Sequence, residues 1–217
     1  MKNTDVYYNG YMKYVLFDFN GTVIDDLDLC IKCINMTIEK YLDRKPLSKE
    51  EYYQVFTFPI RNYYERVGFD FSVLNWEEVG RYWFDNYYRN RHLCHLHEGI
   101  REFLIENHRK GNRNIILSAS KIEVLKEQLS ELGVIDLFDD ILGLDNIYAN
   151  SKLAVGLDFI KDKNKDDCLM IGDSLHDYEV ARELGIRCIL IARGHQDRKT
   201  LESECEEVYD SISEVEL

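Results

Sequence analysis

The sequence predicts an α/β fold, in which a doubly wound, Rossmann-like parallel sheet carries an inserted all-helical module. Three observations support this prediction: short apolar runs alternate with helical patterns, turn residues follow these runs, and one long internal stretch holds helical patterns only. We place the α/β core at residues 1–24 and 95–217, and the helical insert at residues 25–94. The chain of 217 residues, 45% of them hydrophobic, is long enough to bury both.

Short apolar runs are predicted to form the strands of the sheet. They cover residues 13–17, 114–117, 168–171 and 186–191. Helical patterns accompany them at residues 100–109, 122–132, 152–161 and 176–184, with Gly111, Gly133 and Gly185 as predicted helix ends. Strands that alternate with helices pair in parallel, and ligands of such sheets bind beyond the carboxyl ends of the strands.

The helical insert is predicted to begin with a helix over residues 27–42, where leucine and isoleucine recur at helical spacing. Ser48 and Glu51 form a candidate capping box for the next helix. Further helices are predicted over residues 56–68 and 76–88. Both tryptophans and many tyrosines of the chain lie in this insert, which favours an aromatic core.

The charge of the chain excludes some partners. With 27 Lys and Arg against 40 Asp and Glu, the formal net charge is -13, which disfavours nucleic acid and anionic membranes. No apolar run approaches the roughly 20 residues of a membrane span, and residues 1–8 lack the apolar stretch of a secretory signal. We therefore expect a cytoplasmic protein with reduced thiols. The six cysteines are Cys30, Cys33, Cys94, Cys168, Cys188 and Cys205.

Residues suited to phosphate chemistry follow three of the predicted strands. Asp18 precedes the turn at residues 20–22, Ser118 follows the second run, and Asp173 and Asp177 stand four apart after the third. Mg²⁺ prefers oxygen ligands such as carboxylates, and the backbone N–H groups of a turn can bind an anion. Lys152 adds a positive charge at a predicted helix start.

These residues, in this order, resemble the motifs of the haloacid dehalogenase superfamily. The sequence DFNGTV from Asp18 resembles its first motif, IILS ending at Ser118 its second, Lys152 its third, and GDSLHD ending at Asp177 its fourth. The resemblance spans about residues 13–195 and is closest to phosphatases with a helical cap, similar to phosphoglycolate phosphatase. Its Gly-Asp pair at Asp173 distinguishes the chain from the metal-free dehalogenases.

The resemblance implies a role for each matched residue. Asp18 would be the nucleophile that forms an aspartyl-phosphate, and Mg²⁺ would be held by Asp18, the main-chain carbonyl of Asn20, and Asp173. Asp177 would act through water.

The phosphate of a small substrate would be bound by Ser118, Ala119 and Lys152, with Arg61 as a candidate contact from the cap. The substrate itself cannot be identified from the sequence, and phosphoglycolate, sugar phosphates and nucleotide monophosphates all fit. No motif predicts an oligomeric state.

Asn20 departs from the family pattern, which places a general acid–base aspartate at this position. An amide cannot shuttle a proton near neutral pH, and general acid–base catalysis contributes about 10²–10⁴-fold. Four interpretations follow: a slow phosphatase in which His176 or a residue of the cap partly replaces the acid, a phosphate-binding regulatory protein, a phosphotransferase, or an introduced Asp-to-Asn change. The sequence favours the first.

Other histidines and cysteines favour structural roles. Cys30 and Cys33 share one helical face and are predicted to be buried. The cluster His92, Cys94, His95 and His97 is predicted to be structural rather than metal-binding. His195 follows the last predicted strand and is a candidate for the edge of the site.

Overall fold

The structure, a computed structural model, describes residues 13–144 and 151–217. The prediction about a secretory signal at residues 1–8 lies outside the described residues. The strands are β1 Tyr14–Phe17, β2 Ile24–Asp25, β3 His95–Leu96, β4 Arg113–Lys121, β5 Asp140–Leu144, β6 Cys168–Gly172, β7 Arg187–Ile191 and β8 Val208–Tyr209. The helices are α1 Leu27–Tyr41, α2 Lys49–Val55, α3 Ile60–Val67, α4 Trp76–Asn90, α5 Ile100–Arg109, α6 Ile122–Glu131, α7 Lys152–Ile160, α8 Leu175–Leu184 and α9 Arg198–Leu201.

A parallel sheet forms the centre of the molecule. Within the described ranges it has six strands, in the order β5-β4-β1-β6-β7-β8. Strand β1 lies between β4 and β6, with Tyr14 in register with both Arg113 and Cys168. Its side chains alternate between the two faces: Val15 and Phe17 pack with one hydrophobic cluster, and Leu16 with the other. The predicted α/β fold with helices on both faces is confirmed.

The structure corrects several predicted bounds. The edge strands β5 and β8 were not predicted, because β8 has only two residues and Gly143 interrupts the apolar run of β5. Strand β4 continues to Lys121 instead of ending at residue 117. The helix predicted from residue 56 begins only at Ile60, because a residue before proline, here Phe58 before Pro59, disfavours helical backbone.

The helical insert has a hydrophobic cluster of its own. Side chains from α1 to α4 pack together around the fully buried Ile34, Ile38 and Val79. The predicted capping box is present: Glu51 N–H donates to Ser48 Oγ, and Glu51 accepts from Ser48 N–H. The chain enters and leaves the insert through β2 and β3, which pair antiparallel.

The described residues carry no helix that is both long and apolar enough to cross a membrane. All six cysteines are buried free thiols, as expected from the sequence. Cys30 and Cys33 face the interior from α1.

Candidate active site

Polar strand ends meet below the helical insert. Because β4, β1 and β6 are parallel neighbours, Ser118, Asp18 and Asp173 lie at the same edge of the sheet. A cavity of about 450 Å³ opens there between the sheet edge and the insert. All three residues line it, together with Ala119 and Lys152.

Lys152 links two acidic groups of this cavity. Its ammonium nitrogen lies 2.6 Å from Asp18 Oδ1 and 2.5 Å from Asp177 Oδ1. The side chain is only 3% exposed. Burial alone would lower the pKa of Lys152, but the charges of Asp177 and Asp18 outweigh burial and raise it. Lys152 is held at the first position of α7, whose N-cap Ser151 accepts from Ala154 N–H.

The carboxylates of Asp18, Asp173 and Asp177 form a group that can hold a cation. Each offers an oxygen within 4.8 Å of the others. Burial raises the pKa of Asp18 to about 7 against the opposing charge of Lys152, and that of Asp173 to about 6 against the charge of His195. These shifts reflect buried, closely spaced negative charge that a divalent cation would stabilise. Hard oxygen donors of this kind fit Mg²⁺.

Asp173 is fixed by contacts to both of its oxygens. Thr22 Oγ1 donates to Oδ1 at 2.9 Å, and the backbone N–H of His195 donates to Oδ2 at 2.7 Å. A Cβ atom at Gly21 or at Gly194 would overlap the Asp173 carboxylate, and Gly21 also has a φ of +75°. Glycine at both positions therefore lets the backbone approach the acidic group.

The Asn20 amide is held by three neighbours. Its Nδ2 donates to Asp26 Oδ2 at 2.7 Å and to the Tyr87 hydroxyl at 2.9 Å. Its Oδ1 accepts from the Ser120 hydroxyl at 3.2 Å. Both N–H bonds are used, so the amide has no donor left for a substrate atom, and it has no proton to release.

A buried ion pair joins the start of the insert to the core. Asp26, just before α1, is 1% exposed, and its Oδ1 lies 3.3 Å from His195 Nε2. Burial alone would lower the pKa of His195, but the Asp26 charge raises it to about 9. Burial likewise opposes ionisation of Asp26, yet the His195 charge keeps its pKa below the usual range. On the other side of the ring, His195 Nδ1 lies 2.9 Å from the Tyr52 hydroxyl of α2.

Of two further site residues predicted from the sequence, His176 lies in the cavity and Arg61 lies outside it. His176 lines the cavity and stacks on Phe58 with ring centroids 4.5 Å apart, and burial lowers its pKa. Arg61 does not line the cavity: its Nε pairs with Glu65 at 3.1 Å, and its guanidinium lies over the Phe71 ring.

The predicted histidine–cysteine cluster is divided between two places. His92, Cys94 and His95 line a second cavity of about 270 Å³, and His97 Nε2 lies 3.0 Å from the Gly21 carbonyl oxygen. Among the described residues, the side-chain groups close enough to hold a metal do not include this cluster.

Comparison with known families identifies the family of this chain. The sequence model of the haloacid dehalogenase-like hydrolases matches residues 15–191, which include the sheet edge and the insert. The chain belongs to the haloacid dehalogenase-like hydrolases. The family predicted from the four motifs is therefore confirmed.

Relatives of this haloacid dehalogenase-like hydrolase include proteins named as phosphate-hydrolysing enzymes. A protein of Caldanaerobacter subterraneus that carries the name pyrophosphatase PpaX is 27% identical over 183 residues, which cover 82% of this chain and 80% of that protein. The phosphoglycolate phosphatase of Vibrio parahaemolyticus is 28% identical over 142 residues, which cover 63% of this chain and 62% of that protein.

Solved structures share the fold. A haloacid dehalogenase-like family protein of Streptococcus pneumoniae superposes with a TM-score of 0.76 at 18% identity, covering 94% of this chain and 96% of that one. CbbY of Rhodobacter sphaeroides, solved with phosphate, superposes with a TM-score of 0.73 at 20% identity, covering 94% and 96%.

The cavity of this haloacid dehalogenase-like hydrolase also includes residues that the sequence did not single out. Asp26, Tyr52 and Tyr87 line it and contact Asn20 or His195. Asp26 carried a weak signal, since it is a charged residue directly before an apolar helix. The two tyrosines carried none, because only the packing of the insert on the core brings them there.

Proposed function

We propose that the protein is a magnesium-dependent phosphatase that hydrolyses a small phosphomonoester through an aspartyl-phosphate on Asp18. The observation that carries the proposal is the Lys152 ammonium between Asp18 and Asp177, beside Asp173. A buried cation next to a strand-end carboxylate provides both an anchor for phosphate and a nucleophile held in place. The relatives' names support phosphate ester or anhydride hydrolysis.

The first step is attack of an Asp18 oxygen on phosphorus, with cleavage of the bond to the leaving oxygen. Lys152 and the Ser118 hydroxyl would bind the transferring phosphate, while the Asp18 carboxylate stays aligned by Lys152. Mg²⁺, when bound by Asp18, Asp173 and the main-chain carbonyl of Asn20, would neutralise charge on the phosphate oxygens. Asp177 supports this arrangement by fixing Lys152.

The second step, hydrolysis of the aspartyl-phosphate, needs a group that takes a proton from water. Asn20 cannot supply it, and its amide is fully hydrogen-bonded. His176 lines the same cavity, and its lowered pKa leaves the ring neutral at pH 7, in the form that accepts a proton. We therefore propose a slow second step with His176 as a partial substitute.

The fully hydrogen-bonded Asn20 amide also supports a second candidate function. An aspartyl-phosphate that water attacks slowly would persist, so the protein could act as a phosphate-binding regulator or hand the phosphoryl group to another acceptor. Intact-protein mass after exposure to acetyl phosphate distinguishes the two: a stable gain of one phosphoryl group supports the second candidate, and rapid release of phosphate supports the first.

The substitution Asp18→Asn tests the nucleophile. It keeps the shape of the side chain and leaves Lys152 paired with Asp177, so the fold is expected to survive. We expect hydrolysis of acetyl phosphate with Mg²⁺ to fall by at least about 10³-fold. Asp136→Asn, at an exposed position outside the cavity, is the matched control. Full activity in Asp18→Asn would refute the proposed mechanism.

We also propose the division into a core at residues 1–24 and 95–217 and a cap at residues 25–94. The separate hydrophobic cluster of the insert and its position over the cavity support this division. Six free cysteines support a reducing, cytoplasmic environment.

A further inference from the structure

The helical insert contributes an aromatic wall to the cavity. Its lining side chains include Tyr52, Phe56, Phe58, Tyr63, Trp83 and Phe84. Within the described residues, the insert contributes no lysine or arginine to this lining. These aromatic side chains carry no charge, and Asp26, the carboxylate that the insert adds to the lining, is paired with His195.

The cationic side chains that line the cavity, Lys152, His195 and Lys121, do not belong to the aromatic wall. Lys152 is committed to Asp18 and Asp177, and Arg61 lies outside the cavity. Lys121 lines the cavity, but it stands on the core side, at the end of β4, and is exposed. A second phosphate or carboxylate directed at this wall would lie against aromatic rings, which do not compensate for its lost hydration.

Apolar side chains are exposed to solvent at the mouth of the cavity. Ile60 and Phe84 line it while remaining 37% and 42% exposed, so apolar surface is open to solvent there. Tyr63 lines the wall at 4% exposure, and its buried hydroxyl has no hydrogen-bond partner among the described residues. This hydroxyl is not accessible from the cavity, so a ligand would cover the exposed Ile60 and Phe84 and would not bind the hydroxyl.

The chemistry at Asn20 points to the same kind of substrate. A leaving oxygen of high basicity requires a proton as its bond to phosphorus breaks. The Asn20 amide has no free donor, so the site favours a leaving group that departs as a stable anion. Phenolate meets this requirement better than an alkoxide, because phenols have a pKa of about 10.

We propose that the site takes the phosphate monoester of a neutral phenolic alcohol, with the aromatic ring against the wall formed by Tyr52, Phe56, Tyr63 and Phe84. This inference rests on the proposed phosphatase function and names its substrate class. It differs from pyrophosphate and phosphoglycolate, for which the relatives are named, since both carry a second anionic group.

Binding of non-hydrolysable phosphonates tests the substrate class without turnover. Benzylphosphonate, phosphonopropionate and ethylphosphonate replace the ester oxygen by carbon in phenyl phosphate, phosphoglycolate and methyl phosphate. With Mg²⁺ and the full chain, calorimetry is expected to show benzylphosphonate binding about tenfold tighter than ethylphosphonate. Phosphonopropionate is expected to bind no tighter than ethylphosphonate.

Each other outcome overturns the substrate class. Equal affinity for benzylphosphonate and ethylphosphonate, or tightest binding of phosphonopropionate, refutes it. If none of the three binds, the substrate class also fails, and hydrolysis of acetyl phosphate then decides separately whether the phosphatase function stands.

A charge placed in the wall provides a second test. Phe84→Arg adds a cation at a partly exposed position of the lining, so phosphonopropionate is expected to bind about threefold tighter and benzylphosphonate more weakly. Val73→Arg, at an 81% exposed position outside the cavity, should leave both affinities unchanged. Equal effects of the two substitutions would mean that the wall at Phe84 does not contact the ligand.

Discussion

At the scale of single residues, Asn20 is matched to its surroundings. Its amide nitrogen meets two acceptors, the Asp26 carboxylate and the Tyr87 oxygen, and its carbonyl oxygen meets the Ser120 hydroxyl. A carboxylate at this position would face that of Asp26 at hydrogen-bond distance, and two such groups cannot both ionise freely. Asn20 therefore satisfies both of its neighbouring acceptors, whereas an aspartate would have to be protonated to donate to Asp26.

Asn20→Asp is expected to speed hydrolysis of alkyl phosphates by about 10²–10⁴-fold, because it restores a proton donor and acceptor. The proximity of Asp26 should raise the pKa of the new carboxyl group, so the gain should persist toward neutral pH. The measurement is kcat/KM against pH for both proteins. Acetyl phosphate is the control substrate, since its leaving group needs little protonation and the gain should be smaller. Equal rates for the two proteins would show that proton transfer is not limiting.

At the scale of secondary structure elements, local signals predicted the helices better than the edges of the sheet. The N-cap Ser48 was readable because a cap is a contact within one turn. The edge strands β5 and β8 were not, because a two-residue strand and an apolar run interrupted by Gly143 carry little local signal.

The same distinction applies to the candidate site. The meeting of Asp18, Ser118 and Asp173 could be predicted, since parallel strands share one carboxyl edge. The position of Tyr52 against His195 could not, because it depends on how the insert packs on the core.

Helix α2 carries Tyr52 and provides an element-scale prediction. Ser48→Ala removes the side-chain acceptor of its capping box and is expected to reduce the free energy of unfolding by about 1 kcal/mol. Urea denaturation followed by circular dichroism measures this. Ser130→Ala is the matched control, because that exposed hydroxyl bonds a carbonyl within α6 and caps no helix. Similar losses in the two variants would contradict the capping role.

At the scale of the whole molecule, His195 connects the core to the helical insert. It pairs with Asp26 at the start of the insert, and its ring stacks on Phe56 with centroids 5.0 Å apart. The Tyr52 hydroxyl approaches its other nitrogen. One charged side chain from the loop after β7 thus contacts two segments of the insert, so its protonation state influences how firmly the two parts hold together.

Stability is therefore expected to depend on pH through His195. Its pKa is raised from 6.5 to about 9, so its contribution is complete below pH 6.5 and decreases as the pH rises through about 9. His195→Gln should lower the free energy of unfolding at pH 6 by on the order of 2–3 kcal/mol, a deficit that shrinks toward pH 10. Urea titrations in chelator measure this for both proteins. His92→Gln, at an exposed position, is the control, and a deficit for His195→Gln that does not change with pH would contradict the ion pair.

The ribbon of β2 and β3 has a consequence for how such enzymes diversify. Ile24 pairs with Leu96 and Asp25 with His95, so the chain leaves the sheet domain and returns to it through adjacent strands. Residues 26–94 therefore connect two neighbouring strands, and the two ends of this connection are fixed about 5 Å apart. Another segment with the same end spacing could be exchanged there without disturbing the strands below. Such an exchange would replace the aromatic wall of the cavity and leave Asp18, Lys152 and Asp173 in place.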